Sequence, residues 1–372
     1  MRLTWAEIDI EAIEHNLRTL RHTVHPAKII AIVKANAYGH GIVRVARAAV
    51  DAGADYLGVG FLEEGMLLRR RGFSTPILVL GGVLFHQVHE FIINHLDLTV
   101  SSLGLAYAVN REAEILGKIA RIHLKFDTGF NRIGMHYAKA SDIFERLKPL
   151  KNIDIVGIYS HFATADDPAT DYTGIQFDRF QAVLEAATRW EIAPTYRHIA
   201  CSGAILYHSQ TFCNMVRVGL AMYGLYPTLA SPRVLDLKPV LSFKSRVVFL
   251  KTLPPGEPVS YGGTFVTSGI TRVATIPVGY GDGYTRRLSN NADVLIRGKR
   301  FPVIGNICMD QIMVNLGDDA TVEVGDEVVL YGRQGNECIP VEEIARRADT
   351  IPYEITTWLA RRVPRVCINT KD

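Results

Sequence analysis

Up to about residue 225, the chain alternates short apolar runs with amphipathic stretches. The apolar runs predict strands at eight places: 28–33, 56–60, 76–80, 96–101, 121–127, 153–159, 196–200 and 214–218. Stretches such as 43–50 and 103–109 space their apolar residues three or four apart, which is typical of helices long enough to connect parallel strands. The alternation predicts an α/β chain that begins with a (β/α)8 TIM barrel, and a doubly wound open sheet is the structural alternative.

The pattern changes after Pro227. Prolines and glycines now separate short Val/Ile-rich runs at 245–250, 271–276, 293–297 and 326–331. Short apolar runs separated by proline and glycine predict a β-rich domain, interrupted by one helix at Val341–Arg347. We therefore expect a barrel over residues 9–230 and a β-rich C-terminal domain over residues 231–372, with residues 1–8 able to pack with the second domain.

Composition narrows the classes of function. The 372 residues include 41 basic and 38 acidic side chains, and a formal charge of +3 gives no reason to propose a nucleic acid or a membrane surface as a partner. Met1–Leu17 carries four acidic residues and no apolar core, so it does not read as a secretory signal. The five cysteines lack metal-binding spacing, so we expect reduced thiols, no metal site and a cytoplasmic protein.

Lys34 ends the longest of the early apolar runs. The run is followed by small, polar and glycine residues up to Gly41, so the chain reads as a buried strand that delivers Lys34 to its carboxyl end. Burial there would lower the pKa of the amine and make it available as a base or as a nucleophile that forms a Schiff base. A helix-cap or surface lysine is the alternative interpretation of this segment.

Other polar residues follow the predicted strands at the same edge of the barrel. They are Tyr38 after the first strand, Lys125, Asp127 and Arg132 after the fifth, His161 after the sixth, Ser202 and Gly203 after the seventh, and Arg217, Gly219 and Leu220 at the eighth. Active sites of such barrels lie at this edge, often with a phosphate bound after strands seven and eight. A lysine opposite a phosphate site suggests pyridoxal phosphate.

Each of these residues also has a purely structural interpretation. Ser202 could cap a helix, Arg217 could form an ion pair, and His161 could be a hydrogen-bonded core histidine. Glycine-rich motifs in the second domain around Tyr261 and Tyr280 fit ordinary β-turns as well as they fit a ligand site, so spacing alone does not select Tyr261.

Several motifs, taken together, resemble the alanine racemase family in order over nearly the whole chain. The segment Val33–Gly41 matches the lysine signature of that family, and further matches are KFDTG at 125–129, SHFATAD at 160–166, MYGL at 222–225, SYG at 260–262 and IPYE at 351–354. The resemblance implies a pyridoxal-phosphate enzyme that interconverts L- and D-alanine through an external aldimine, in a head-to-tail homodimer with shared active sites. It also implies a supply of D-alanine for peptidoglycan.

Other functions on the same scaffold stay open at this point. The enzymatic alternatives are a racemase for serine or for a broad range of amino acids, and a barrel-type amino-acid decarboxylase. A non-catalytic pyridoxal-phosphate binding protein shares the barrel and its lysine, but such proteins generally lack the second domain.

The resemblance assigns the two bases and their support. It implies that Lys34 binds the cofactor and serves as one base, and that Tyr261 of the partner subunit is the other, since inversion at a carbon needs one group on each face. Arg217 would face the pyridine nitrogen, and hydrogen bonds from Arg217 through His161 to Tyr261 would stabilise the phenolate. An arginine can only donate, so it discourages protonation of that nitrogen and favours clean racemisation.

The remaining roles also follow from the resemblance. It implies phosphate ligands at Tyr38, Ser202, Gly219, Leu220 and Tyr353. Arg132 would hold the substrate carboxylate or the ring hydroxyl, helped by the backbone of Met309, and Tyr280 would line the entrance. Lys125 matches a lysine that is carbamylated to N6-carboxylysine in many relatives, which turns a cation into an anion able to orient the arginine.

Three positions depart from the family pattern. Asn131 stands before Arg132 where we expect glycine, Val218 replaces a proline after Arg217, and the surroundings of Ser202 differ from the commoner sequence. No functional side chain is lost through these departures.

Overall fold

A computed structural model describes residues 2–167 and 169–370. These residues form two compact units. One unit comprises residues 17–37 and 42–222, and the other comprises the residues up to Asn16, Tyr38–Gly41 and the chain from Tyr223 onwards. The domain boundaries read from the sequence stay predictions.

The first unit is built on eight parallel strands within the described residues. They are Lys28–Ile32, Tyr56–Val59, Ile77–Val79, Asp97–Val100, Ala120–Asp127, Ile153–Tyr159, Tyr196–His198 and Met215–Val218. The sheet curves back on itself, because the eighth strand pairs with the first and sets Met215 opposite Lys28. The Arg217 N–H donates to the Ala200 carbonyl at 3.0 Å, between the seventh and eighth strands. The predicted (β/α)8 barrel is therefore confirmed, and the open-sheet alternative is wrong.

Helices cover the outside of these strands. Their bounds are Ile42–Asp51, Leu62–Arg70, Val88–Ile93, Leu103–Ile115, Ala140–Leu147, Tyr172–Arg189 and Ser202–Tyr207, and Ile10–Val24 precedes the first barrel strand. Ile42–Asp51 shows why they form: Val45, Ala46 and Ala49 recur at helical spacing and are all fully buried. None of the described helices has the length and apolar character needed to cross a bilayer.

The second unit is rich in strands, most of them antiparallel. Its described strands are Trp5–Asp9, Leu241–Arg246, Phe249–Leu253, Pro258–Val259, Phe265–Val266, Thr271–Ile276, Asp293–Ile296, Lys299–Ile304, Ile312–Gly317, Glu327–Gln334, Glu337–Ile339 and Arg365–Ile368. Two helices, Val341–Arg347 and Pro352–Thr357, belong to the same unit. The predicted β-rich domain and the predicted helix at Val341–Arg347 are confirmed.

One predicted strand has the wrong bounds. The apolar run 245–250 is divided between Leu241–Arg246, which pairs with Glu327–Gln334, and Phe249–Leu253, which pairs with Thr271–Ile276. The chain changes partner at residues 247 and 248, whose N–H groups donate to the carbonyls of Asp326 and Thr275. Hydrophobicity continues through the change, so the pattern along the chain carries no signal of it.

Candidate active site

Lys34 stands at the carboxyl end of the first barrel strand, as the sequence predicts. The four residues that follow it, Ala35 to Tyr38, all have φ between 51° and 54° and so form a left-handed turn. L-residues lose about 1–2 kcal/mol each in a left-handed helical conformation, so surrounding contacts must hold this turn in place. The sequence pattern does not predict this turn or its handedness, because none of the four residues is a glycine.

Two side chains hold this left-handed turn. The Asn36 side-chain oxygen accepts the N–H of Ile42 at 3.0 Å, which closes the turn onto the following helix. The Glu64 carboxylate accepts the N–H of Asn36 at 3.4 Å and that of Gly60 at 2.8 Å. Glu64 thus connects the loop after the second strand to the loop that carries Lys34.

The surroundings of Lys34 favour the neutral amine. Burial lowers its pKa, the positive charges of Arg132 and Arg217 lower it further, and Glu64 opposes them. A neutral amine is the form that attacks a carbonyl or accepts a proton. The environment is therefore the one expected for a lysine with a chemical role.

Arg217 is buried at the end of the eighth strand and is held from several sides. Its Nη2 group donates to His161 Nδ1 at 3.0 Å, and to the carbonyls of Ser160 at 2.8 Å and Ile199 at 2.9 Å. Its Nη1 group donates to His198 Nδ1 at 2.8 Å. Among the described residues Arg217 has no carboxylate partner, so the ion-pair interpretation is wrong. No acceptor among them lies within reach of its Nε–H, which leaves one donor for a ligand.

The hydrogen bond from Arg217 determines which nitrogen of His161 carries the proton. Because a guanidinium only donates, His161 Nδ1 must accept, and the proton of the neutral ring is on Nε2. Burial lowers the pKa of His161 well below its ordinary value, and the charges of Arg217 and Lys125 act in the same direction. His161 is therefore a neutral ring that offers an Nε2–H donor.

The loop after the fifth strand positions Arg132. The Asp127 carboxylate accepts the N–H groups of Gly129 at 2.8 Å and Asn131 at 3.1 Å. Asn131 has a φ of 58°, a conformation that asparagine tolerates better than most residues, so the departure from glycine keeps the backbone of the loop. The Arg132 guanidinium carbon lies 4.2 Å from the centroid of the Phe130 ring.

Lys125 is the most strongly perturbed amine of the site. Its side chain is buried at the end of the fifth strand, with Nζ 5.1 Å from the centroid of the Tyr159 ring. Burial and the charges of Arg217 and Arg132 lower its pKa to about 7. Together with Arg132 and His161 it lines a cleft. Near neutral pH a large fraction of this amine is uncharged.

Ser202 lies beside the end of the eighth strand. Its Oγ accepts the N–H groups of Gly219 at 3.0 Å and Ala221 at 3.2 Å, so its own hydroxyl proton stays available for another acceptor. Cys201 occupies the N-cap position of the helix Ser202–Tyr207 and Ser202 is its first residue, so the interpretation of Ser202 as the helix cap is wrong. The Gly219 N–H is paired with Ser202 here, and its predicted role toward a phosphate stays a prediction.

The other two departures fit their surroundings. Val218 is fully buried in the eighth strand and pairs opposite Ala31, a position that suits a β-branched residue. Beside Ser202, a Cβ added to Gly203 would lie 2.1 Å from a carboxylate oxygen of Asp166, so this position requires glycine.

Tyr38 and Tyr353 lie together in the second unit. Their ring centroids are 5.6 Å apart. Between Tyr38 and the following helix the chain passes so close to the helix Pro352–Thr357 that a Cβ on Gly39 would lie 2.0 Å from the Thr356 carbonyl oxygen. Gly39 has a φ of 86°, and both its conformation and its surroundings require glycine.

Tyr261 is presented on a rigid turn of the second unit. Ser260 and Gly262 have φ values of 67° and 73°, and the Asn306 side-chain amide donates to the Tyr261 carbonyl at 2.6 Å. The Tyr261 residue is 70% exposed. The structure thus leaves the Tyr261 side chain accessible, and its role as a base stays a prediction.

Tyr280 and Met309 come from two neighbouring loops of the same unit. The Tyr280 N–H donates to the Cys308 carbonyl at 3.1 Å, and the Gly281 N–H donates to the Met309 carbonyl at 2.9 Å. Both side chains are exposed. The structure therefore brings these two predicted substrate residues together.

Sequence reasoning missed three residues of the site. Glu64 holds the Lys34 loop, Phe130 contacts Arg132, and His198 binds Arg217. His198 had a detectable signal, because a polar residue in an apolar strand must find a buried partner. Glu64 and Phe130 had none, since their partners come from other strands or from a loop.

Comparisons with known proteins identify the family. The family model described as "Alanine racemase, N-terminal domain" matches residues 8–227, and that described as "Alanine racemase, C-terminal domain" matches residues 240–367. The chain belongs to the alanine racemase family. An alanine racemase from Symbiobacterium thermophilum is 47% identical, over 98% of this chain and 97% of its own length. Alanine racemases thus resemble both parts of the chain.

Solved structures agree with this assignment. The alanine racemase from D-cycloserine producing Streptomyces lavendulae is similar with a TM-score of 0.95 and 37% identity, covering 100% of this chain and 98% of that one. A histidine racemase from Leuconostoc mesenteroides subsp. sake is similar with a TM-score of 0.90 and 27% identity, covering 99% and 98%. A non-catalytic protein without the second domain is therefore the wrong interpretation.

Proposed function

We propose that this member of the alanine racemase family interconverts L- and D-alanine with pyridoxal 5'-phosphate and two bases. The observation that carries the proposal is the convergence of Lys34, Arg217 and His161 at one edge of the barrel. There a desolvated amine, an arginine with a spare donor and a neutral histidine share one electrostatic environment.

The residues present fit this cofactor. Lys34 offers to an aldehyde an amine whose pKa is lowered by burial, Arg217 offers its Nε–H to a ring nitrogen, and Ser202 offers a hydroxyl proton to a phosphate. The cationic side chain of Arg132 suits a ligand that carries negative charge. The bound cofactor supplies an electron sink that makes the α-hydrogen of an amino acid easier to remove.

Lys34 and Tyr261 divide the movement of the proton. Lys34 takes or returns a proton on one face of the α-carbon, and Tyr261 of the partner subunit acts on the opposite face. A positioned acid or base contributes on the order of 10²- to 10⁴-fold to the rate. A free tyrosine, with a pKa near 10, is a poor base. A hydrogen bond from the Nε2–H of His161 would stabilise the phenolate of Tyr261.

Arg217 limits side reactions. It remains protonated and can only donate, so it would discourage protonation of a ring nitrogen held opposite it. A cofactor held in this way would be a weaker electron sink than one beside a carboxylate. Side reactions such as transamination are therefore suppressed in favour of racemisation.

The remaining residues select and hold the substrate. Arg132 binds the amino-acid carboxylate with the help of the Met309 backbone, and Tyr280 lines the entrance. Lys125 is carbamylated, which gives Arg132 an anionic neighbour. Tyr38, Ser202, Gly219, Leu220 and Tyr353 hold the phosphate. In the cell the enzyme is cytoplasmic and homodimeric, and it supplies D-alanine for peptidoglycan.

Mixed dimers test the shared active site. Lys34→Ala and Tyr261→Phe are each expected to lose nearly all activity. If the two variants are unfolded together and refolded at equal concentration with pyridoxal phosphate, half of the dimers carry one of each chain, and one of the two sites in such a dimer has both native bases. Activity should return to about a quarter of the native value. No recovery, with mixed dimers shown by mass spectrometry, would contradict a Tyr261 contributed by the partner.

A second candidate function is racemisation of amino acids other than alanine. The similarity to a histidine racemase favours it, because the same fold then accommodates a larger side chain. Initial rates with L-alanine, L-serine, L-histidine and L-lysine rank the substrates. Release of carbon dioxide in the same assay would instead support the barrel-type decarboxylase.

A further inference from the structure

A line of buried polar side chains continues from Arg217 into the barrel, away from His161. Arg217 donates to His198 Nδ1 at 2.8 Å, His198 Nε2 lies 3.0 Å from His123 Nδ1, and His123 Nε2 lies 3.6 Å from an Asp97 carboxylate oxygen. Both histidines are fully buried, and Asp97 is 2% exposed. These residues come from the fourth, fifth, seventh and eighth strands.

Arg217 determines the direction of the hydrogen bonds along this line of side chains. Because Arg217 only donates, His198 Nδ1 must accept, so a neutral His198 carries its proton on Nε2. That proton is donated to His123 Nδ1, and the proton of a neutral His123 is then on Nε2, facing Asp97. Burial lowers the pKa of both histidines, which favours the neutral rings.

Asp97 lies at the other end of this line of side chains, and its carboxylate is held by two further donors. It accepts the Tyr56 hydroxyl at 2.7 Å on one oxygen and Arg121 Nε at 3.0 Å on the other. Burial alone would raise the pKa of this carboxyl, but its interactions with His123 and Arg121 lower it below the ordinary value. The His123 Nε2 atom makes no hydrogen bond among the described residues, and Asp97 faces it across 3.6 Å. The negative charge of the carboxylate favours a proton on that nitrogen, which is the direction that Arg217 requires from the other end.

Neighbouring residues of the barrel leave room for the His123 and His198 rings and pack against them. A Cβ on Gly157 of the sixth strand would lie 2.0 Å from His123 Nδ1, so that position requires the absence of a side chain. The Tyr159 ring stacks on His198, with centroids 4.8 Å apart and planes 10° apart. The same Tyr159 ring lies 5.4 Å from the guanidinium carbon of Arg217.

We propose that Asp97 acts through His123 and His198 as a positioning residue for Arg217, and that it thereby sets how Arg217 meets the ring nitrogen of the cofactor. This inference rests on the proposed function. If the two histidines carried their protons on Nδ1 instead, the His198 N–H would face the Arg217 N–H. Two buried donors would then oppose each other, and Arg217 would have to move.

Asp97→Asn is the variant expected to reverse the direction of hydrogen bonding along this line. Its amide oxygen is needed by Arg121, so its NH2 group is left facing Tyr56 and His123, where it favours protons on Nδ1 of both histidines. Tyr56→Phe is the matched control, because it removes a hydrogen bond at the same carboxylate and leaves the charge in place. His123→Gln is a second variant that interrupts the line if Asp97→Asn does not fold.

The kinetic test uses the holoenzyme and its variants, with the cofactor absorbance and the melting temperature recorded alongside. Asp97→Asn should lower kcat for alanine about tenfold while KM changes less than about twofold, a loss typical of partners that orient a functional group. Tyr56→Phe should stay within about twofold of the native kcat. Equal kcat losses in both variants, or a loss explained by released cofactor, would show a merely structural role and overturn the proposal.

The spectroscopic test needs no variant to be active. In protein labelled with ¹⁵N-histidine, His123 and His198 should give neutral Nε2–H signals that do not titrate between about pH 6 and 9, and Asp97→Asn should convert both to Nδ1–H. Native signals of a charged ring or of Nδ1–H would overturn the proposal. If the native protein did not racemise alanine, the proposed function would fail while the spectrum still determined the proton positions.

Discussion

Lys125 should react with carbon dioxide, and removing carbon dioxide should slow the enzyme. Burial and two arginines lower the pKa of its amine to about 7, from an ordinary value of 10.5. About half of the amine is then neutral at pH 7 and about nine tenths at pH 8, whereas an unperturbed lysine would be almost entirely protonated. The neutral amine is the form that adds to carbon dioxide, so the fold prepares this lysine for carbamylation.

The size of the effect follows from the charges around Lys125. Unmodified and protonated, it adds a positive charge beside Arg132 and Arg217; carbamylated, it offers an anionic acceptor. A hydrogen bond to a charged group contributes about 1.5–3 kcal/mol, which corresponds to a change of roughly ten- to hundredfold in kcat/KM. Degassed, bicarbonate-free enzyme should therefore lose activity to that extent and regain it when bicarbonate is added.

Two assays check this prediction. Enzyme incubated with ¹³C-bicarbonate should show a carbamate carbon resonance that is absent in Lys125→Ala and present in the control Lys118→Ala. Lys125→Ala should be slow, and acetate should restore part of its activity by supplying a carboxylate. The reasoning is refuted if native kcat/KM is the same with and without bicarbonate and no carbamate resonance is seen.

Three further predictions concern stability, substrate binding and pH. Asn131→Ala should lower the free energy of unfolding by about 1 kcal/mol because of its positive φ, while Asn131→Gly should not, as measured by chemical denaturation. Phe130→Leu should raise KM for alanine about two- to fivefold by removing the ring beside Arg132, with kcat little changed, and the exposed Phe85→Leu is the control. Unmodified Lys125 binds its proton more weakly when folded, so carbon-dioxide-free protein should lose stability as pH falls from about 10.5 to 7, and Lys125→Met should flatten that slope.

The sequence predicted the barrel because its signal is local. Each strand is a short apolar run, and each connecting helix repeats its apolar residues at helical spacing, as in Ile42–Asp51. Once the strands are placed, their carboxyl ends bring Lys34, His161 and Arg217 to one edge without any further information. Arg217 and His161 do meet there, 3.0 Å apart.

What the sequence could not predict depends on contacts between distant residues. The left-handed turn at Ala35–Tyr38 contains no glycine, so it is held by neighbours rather than by its own preference. His123 and His198 are far apart in the sequence and adjacent in the barrel. The change of partner at residues 247 and 248 likewise leaves the apolar pattern unbroken.

Racemisation in deuterated water tests the central claim most directly. Purified protein is incubated with pyridoxal phosphate and L-alanine, and the chirality and mass of alanine are followed together from the first turnovers. Two bases on opposite faces predict D-alanine that carries deuterium at the α-carbon from the start, because the proton removed by one base is not the one delivered by the other. D-alanine that retains its original α-hydrogen, release of carbon dioxide, or no D-alanine despite bound cofactor would contradict the account.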